Sequence, residues 1–142
     1  MSSDEVTIDV KLANVVGALT DGGSRRDDVT PNFDVNVKLE EVERRSGEAI
    51  FSFAIAINTK PSIARFDVTG TATVTGKSDT VEKLLQTDPE TKVPHLLKRV
   101  YQQIFLSIFL LSGIINAPHP PPDLMFSSVK SELVKPEGKA EG

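Results

Sequence analysis

The side chains able to do acid–base, nucleophilic or metal chemistry are few in this 142-residue chain, and they do not converge. The two histidines, His95 at a helix start and His119 in a proline elbow, form no pair at metal-ligand spacing, so no metal site is expected. Gly76-Lys77-Ser78 ends like a phosphate loop but lacks the earlier glycine that lets such a loop wrap an anion. Neither Ser112-Gly113 nor Thr69-Gly70-Thr71 forms a nucleophile elbow. Asp27-Asp28 and Glu40-Glu41 have no partner histidine and read as solvated carboxylates. The absence of cysteine excludes disulfides, thiolate metal sites and a cysteine nucleophile. No catalytic residue, metal or cofactor is expected, and the chain does not read as an enzyme.

What is left is binding, and the charge balance limits with what. A net charge of -4 opposes a role centred on nucleic acid, because phosphate binding needs a basic patch. Arg25-Arg26 and Arg44-Arg45 lie in polar stretches and read as solvated loops. The longest apolar run, residues 104–115, has twelve residues against the roughly 20 of a membrane span, so no stable membrane insertion is expected. The N-terminus, MSSDEVTIDV, carries no basic stretch followed by an apolar run, and together with the missing cysteines it fits a cytoplasmic protein.

The elements that must present a binding surface follow from periodicity. Val6, Ile8, Val10 and Leu12 alternate with polar residues, which makes a half-buried strand, and apolar character continues to about Leu19. Residues 20–32, TDGGSRRDDVTPN, form a connection long enough to carry this strand across the sheet instead of into a tight hairpin. Phe33, Val35, Val37 and Leu39 alternate with Asp34, Asn36, Lys38 and Glu40 in a second strand, and Glu43 to Gly47 is its turn. A third strand over Ala49–Asn58 carries Phe51, Phe53, Ile55 and Ile57 on one face and small residues on the other. The fourth runs from Ile63 to about Thr75, with Phe66, Val68, Ala72 and Val74 on one face and mostly threonines opposite. Gly70 falls on its apolar side, leaving a gap for close approach of another backbone or helix.

A short helix is predicted over Ser78–Gln86, capped by Ser78 or Asp79, with Val81, Leu84 and Leu85 inward. A long one follows from about Pro94, with Leu97, Val100, Tyr101, Ile104, Ile108 and Leu111 in one stripe and Gly113 as its stop. Residues 117–122, APHPPP, prescribe a stiff extended elbow, and a second helix is predicted from Asp123, with Phe126, Val129 and Leu133 on one side, ending before Pro136. The tail, residues 136–142, is small and polar and is expected to be disordered, leaving residues 1–135 as one domain. Four antiparallel strands followed by helices mean an α+β fold, a meander with a long first crossover and helices on one face.

The long helix has more apolar surface than this chain can cover. Phe105, Leu106, Phe109 and Leu110 add a second stripe, and burying such side chains is worth roughly 1.5–3 kcal/mol each, so helix-to-helix self-association is expected there. Ile114-Ile115 and Leu124-Met125-Phe126 flank the elbow, and flexible methionine and phenylalanine suit contact with many sequences. Leu124 and Phe126 equally suit packing of the following helix onto the first.

The order of these elements, the strand NFDVNVKLEEV (Asn32 to Val42), and a long helix leading to PPDLMF (Pro121 to Phe126) resemble the SecB family of tetrameric export chaperones. The resemblance spans about residues 5–131 and rests on the order of short motifs, with Asp123-Leu124-Met125-Phe126 matching the family's Asp-x-x-Phe-like motif. It implies sheets paired edge to edge and dimers stacked through the long helices into a tetramer. It also implies an ATP-independent holdase whose surface grooves hold unfolded polypeptides, here with Phe33, Ile114, Ile115, Leu124, Met125 and Phe126 bordering the groove. In the family an acidic strand docks a translocation motor; Asp34 and Glu40 match it, while Lys38 stands at an acidic position and Pro122 replaces an aromatic. Some relatives serve toxin–antitoxin systems, so the alternative is an adaptor or antitoxin-specific chaperone of the same fold with one defined partner.

Overall fold

The computed structural model describes residues 6–20, 31–60, 62–89, 91–126 and 130–134, with Phe126 and 130–134 described by their backbone. The core is a sheet in the order β1-β4-β3-β2-β5, where β1 is Thr7–Leu19, β2 Asn32–Arg45, β3 Glu48–Lys60, β4 Ala64–Thr75 and β5 Lys130–Val134. β2, β3 and β4 form a meander, and β1 pairs with β4, not with its sequence neighbour β2. The four antiparallel strands and the α+β class expected from alternation are therefore present. The crossover of β1 follows from the length of its connection, whose residues 21–30 lie outside the described ones. The β2–β3 hairpin closes through Ser46-Gly47, with Gly47 at φ +82°, a conformation that glycine adopts without steric cost.

Strict alternation sorts the sheet into two faces. Val35, Val37 and Leu39 of β2, Phe51, Phe53, Ile55 and Ile57 of β3, and Phe66, Val68, Ala72 and Val74 of β4 are all buried in one cluster. The register sets them opposite one another across the strands, as in Val35↔Ile57↔Phe66. The other face, with Asn36, Lys38, Ser52, Ala54, Thr69 and Thr71, is half-buried or exposed along its whole length. The helices cover only the first face: α1 (Ser78–Leu85) buries Val81, Leu84 and Leu85, and α2 (His95–Ile114) buries Leu96, Leu97, Val100, Tyr101, Ile104 and Ile108.

Two glycines set how closely the layers meet. At Gly70, a side-chain Cβ would lie 2.3 Å from the Lys11 carbonyl oxygen, because the bulge of β1 at Ala13 brings that edge in; the expected close approach is by backbone. At Gly17, a Cβ would fall 2.8 Å from Leu111 Cδ2, so α2 rests directly on β1.

Three expectations are corrected. α1 has Lys77 at its N-cap with no side-chain bond, so neither Ser78 nor Asp79 caps it. Gly113 lies inside α2, which ends instead with Asn116 in the left-handed region at φ +57°. There Ala117 N–H donates to the Ser112 carbonyl (2.9 Å) and Asn116 N–H to that of Gly113 (3.3 Å), the paired bonds of a Schellman cap. The helix predicted from Asp123 is a single 3-10 turn over Leu124–Phe126 followed by β5, which pairs in parallel with β2 at Asn36–Glu40. Spacings of three and four in a short apolar stretch imitate a helix, and the pairing that wins is non-local. The tail, residues 136–142, lies outside the described residues.

Candidate functional site

α2 carries twenty residues but only one side of it can face the sheet. At 100° per residue, Leu97, Val100, Tyr101, Ile104 and Ile108 share the inward arc, and Leu106 and Leu110 point almost directly away from it. The result is a strip of large apolar side chains on the outer surface: Leu106 is 62% exposed, Phe109 42%, Leu110 56% and Ile114 79%. Phe105 stands beside this strip, half-buried against the core. All four residues expected to form an interface thus lie on one side of one helix, three of them exposed.

The strip has two defined borders. On one side is β1, held by Gln103 Nε2, which donates to the Ile8 carbonyl (3.1 Å), and by the Leu111–Gly17 contact. On the other side the proline elbow doubles back along the helix. His119 stacks edge-on against Phe109 with ring centroids 4.9 Å apart and lies 6.4 Å from Phe105. Two residues on, the Pro121 carbonyl accepts a 2.8 Å hydrogen bond from Tyr101 Oη. Tyr101, Phe105 and Phe109, spaced by four, form a continuous aromatic ladder with centroid steps of 5.9 and 6.1 Å. Burial, with a smaller contribution from the Asp123 carboxylate, pushes the Tyr101 phenol well above its usual range, so it remains a donor to the elbow.

This path decides where the groove residues go. The elbow delivers Leu124 and Met125 into the core cluster, where both are buried, so their side chains pack the fold and are not offered to solvent. Ile114 is fully outward, Ile115 is half-buried against the core, and Phe33 is half-buried on the helix-covered face at the start of β2. The register puts Phe33 opposite Thr59, one alternation beyond the Val35–Ile57–Phe66–Gly17 row on which Leu111 sits. Phe33 and the end of α2 are therefore at the same end of the sheet. The side chain of Phe126 lies outside the described residues.

Asp34 and Glu40 belong to the opposite, open face. They are six residues apart on β2, about 20 Å in an extended strand. Asp34 is 3.4 Å from Lys60 Nζ, and Glu40 borders a shallow depression of about 300 Å³ with Lys38, Ser52, Ala54, Thr69 and Thr71. Sequence reasoning missed Tyr101 and His119 as the pair that fixes the elbow, although the spacing of four between Tyr101, Phe105 and Phe109 announces the ladder. Among the described residues, no three His, Asp or Glu side chains group as a metal site, and no helix is long and apolar enough to cross a membrane.

No family model matches this chain, and no curated protein sequence matches it. Among solved structures, it is similar to the SecB-like chaperone Rv1957 of Mycobacterium tuberculosis, solved in complex with a ChAD peptide from the HigA1 antitoxin. The TM-score is 0.55 at 12% sequence identity, over 81% of this chain and 87% of that one. At that identity the likeness concerns architecture alone: the protein has a SecB-like fold.

Proposed function

We propose that the protein is a nucleotide-independent holdase that keeps non-native polypeptides from aggregating by binding their apolar segments. The observation that carries this reading is the outward strip of α2, which exposes four large apolar residues side by side on one helix. A side chain such as Ile114 has no role in this chain's own core. The work is done by mass action: bound clients are withdrawn from the pool that aggregates, and no catalytic group is required. In this reading Leu106, Phe109 and Leu110, with Phe105 beneath them, join α2 to α2 of another copy in a dimer or tetramer. Ile114, Ile115 and Phe33, at the end of that strip, border the client site. Asp34 and Glu40, both on the open face, are the candidates for docking a translocation motor.

The test is light scattering of a chemically denatured client diluted into buffer without nucleotide. The protein should suppress scattering at a few-fold excess, and Ile114→Asp should lose most of that suppression while keeping the helical circular dichroism signal. Unchanged scattering at several-fold excess would sink the proposal. A second reading, a chaperone or adaptor dedicated to one defined partner, is favoured by the antitoxin peptide bound to the structural neighbour. Binding of several unrelated denatured proteins with similar strength would exclude it.

A further inference from the structure

An ionisable ring stands at the border of the α2 strip. His119 lies edge-on to Phe109 with centroids 4.9 Å apart, and Phe109 is itself 42% exposed. The imidazole is exposed, and its Nδ1 lies 2.9 Å from the Pro120 carbonyl oxygen, an acceptor that calls for the proton on Nδ1. A second proton therefore goes to Nε2. The charged groups around the ring are few. On α2 the same flank carries Phe105 and Phe109, then Tyr101, whose phenol donates to the Pro121 carbonyl, and Lys98, which is 2.7 Å from Asp88. On the elbow the nearest is Asp123, four residues along and within electrostatic reach of Tyr101. Among the described residues no carboxylate bonds to the imidazole, so a positive charge there has no partner.

The spacing of the strip fits a second copy. Leu106, Phe109, Leu110 and Gly113 occupy positions symmetric about a point midway between Phe109 and Leu110. An antiparallel α2 pair about a two-fold at that point seats Leu106 of each copy over Gly113 of the other, where nothing lies within 4 Å of an added Cβ. A parallel pair would set glycine against glycine and leave that space empty. In the antiparallel pair like flanks adjoin, so both Phe109 rings and both His119 rings come to one side of the seam. The contact rests on three large apolar side chains per copy, so it is marginal and an uncompensated charge decides it.

We infer that His119 makes this contact between copies a pH switch, closed with neutral imidazoles and opened as they take up protons. This rests on the reading of Leu106, Phe109 and Leu110 as the contact between copies. Imidazole is the side chain that ordinarily changes charge between about pH 5 and 8. Closing the seam takes water from the ring and brings a second one near it, and both effects disfavour a charged imidazole. Protons are therefore released on association. Association weakens as pH falls, by up to about tenfold per pH unit for each of the two imidazoles. Net charge works in the opposite direction, because acid brings a chain with a pI near 5.2 toward neutrality and favours association. An open seam leaves Leu106, Phe109 and Leu110 to non-native polypeptides, so acid would widen the surface offered to clients.

Sedimentation velocity of the full chain at about pH 7.5 and about pH 5.5, at one ionic strength, reads the dissociation constant at each. For the wild type it should rise about tenfold or more in acid. His119→Phe keeps an aromatic contact with Phe109 and should stay assembled at both pH values, while His119→Lys should be weakened at both. His95 lies fourteen residues before Phe109, about 21 Å along the helix, and His95→Gln should respond to acid as the wild type does. Circular dichroism checks that each variant is folded. A wild type assembled equally at both pH values overturns the switch and leaves the contact standing. So does an acid response that survives in His119→Phe or vanishes in His95→Gln. A wild type that is monomeric at both pH values overturns the contact and the switch together.

Discussion

Gly70 and Gly113 are both glycines inside regular elements, and the surroundings give them opposite roles. A methyl group at Gly70 would meet the Lys11 carbonyl oxygen at 2.3 Å and Leu12 Cα at 3.0 Å, both backbone atoms that no rotamer change can move. Gly70→Ala should therefore cost roughly 1–3 kcal/mol, at the upper end of the range for overpacking, read as a lower urea midpoint at fixed protein concentration. A loss under about 0.5 kcal/mol would mean that the β1 bulge yields easily. At Gly113 nothing lies within 4 Å of an added Cβ, and the residue has ordinary helical backbone, since the left-handed position of the cap belongs to Asn116. Gly113→Ala should gain roughly 0.5–1 kcal/mol by the usual helix preference, somewhat less so near a frayed end. Had Gly113 been the helix stop, the same substitution would have been destabilising, so the sign of the effect distinguishes the two assignments.

At the scale of elements, the elbow and α2 behave as one unit through Tyr101, Phe105, Phe109 and His119. Tyr101→Phe deletes the bond to the Pro121 carbonyl and should cost about 1 kcal/mol, with faster hydrogen exchange along the segment carrying Leu124 and Met125. The cost should be pH-dependent. Because the folded protein holds the Tyr101 phenol above the 10.0 of a free tyrosine, the unfolded chain ionises first, and stability falls as pH rises beyond about 10. The phenylalanine variant lacks that component, so its deficit relative to the wild type should shrink on the alkaline side; a constant deficit would place the phenol in water. Much of this level was legible in the sequence. Alternation in Phe33–Glu40 and in Phe51–Ile57 reports which side of each strand is wet, and residues 20–32 were too long for a hairpin. The spacing of Leu106 and Leu110 against Ile104 and Ile108 reports a second, uncovered side of α2. The end of the chain was not legible in this way. Five residues over Lys130–Val134 are too few to show a period, and their partner Asn36–Glu40 lies more than ninety positions earlier. Leu124 reads equally well as groove or core, and Met125 reads as groove, because hydrophobicity alone does not say whether the elbow turns in or out. That is decided by Tyr101 reaching Pro121.

At the scale of the whole molecule, the question is what the exposed strip of α2 can sustain. Leu106, Phe109 and Leu110 are each about half exposed or more, so covering them would contribute about 1–2 kcal/mol apiece, roughly 6–12 kcal/mol over the six such side chains of two copies. Association costs on the order of 4–15 kcal/mol in lost freedom, so these residues alone bring a pair of chains near balance. A stable assembly needs more apolar surface than that, and the edge strand β1 has it: Leu12, Val16 and Leu19 are also exposed, and the outer backbone of β1 has no neighbour among the described residues. The strip and the edge should therefore act together, with loss of either enough to tip the balance. Replacing Leu106 and Leu110 by aspartate would put two charges on each side of the contact, and leaving them unpaired in a closed interface costs far more than the leucines contributed. In light scattering coupled to gel filtration, the wild type should elute at two or four times the 15.4 kDa of one chain, and Leu106→Asp/Leu110→Asp should elute near 15.4 kDa. The variant should keep its circular dichroism spectrum, because both side chains point away from the core. A wild type that is already monomeric at micromolar concentration would leave the strip free for clients along its full length and move the holdase site from Ile114 to the whole outer side of α2.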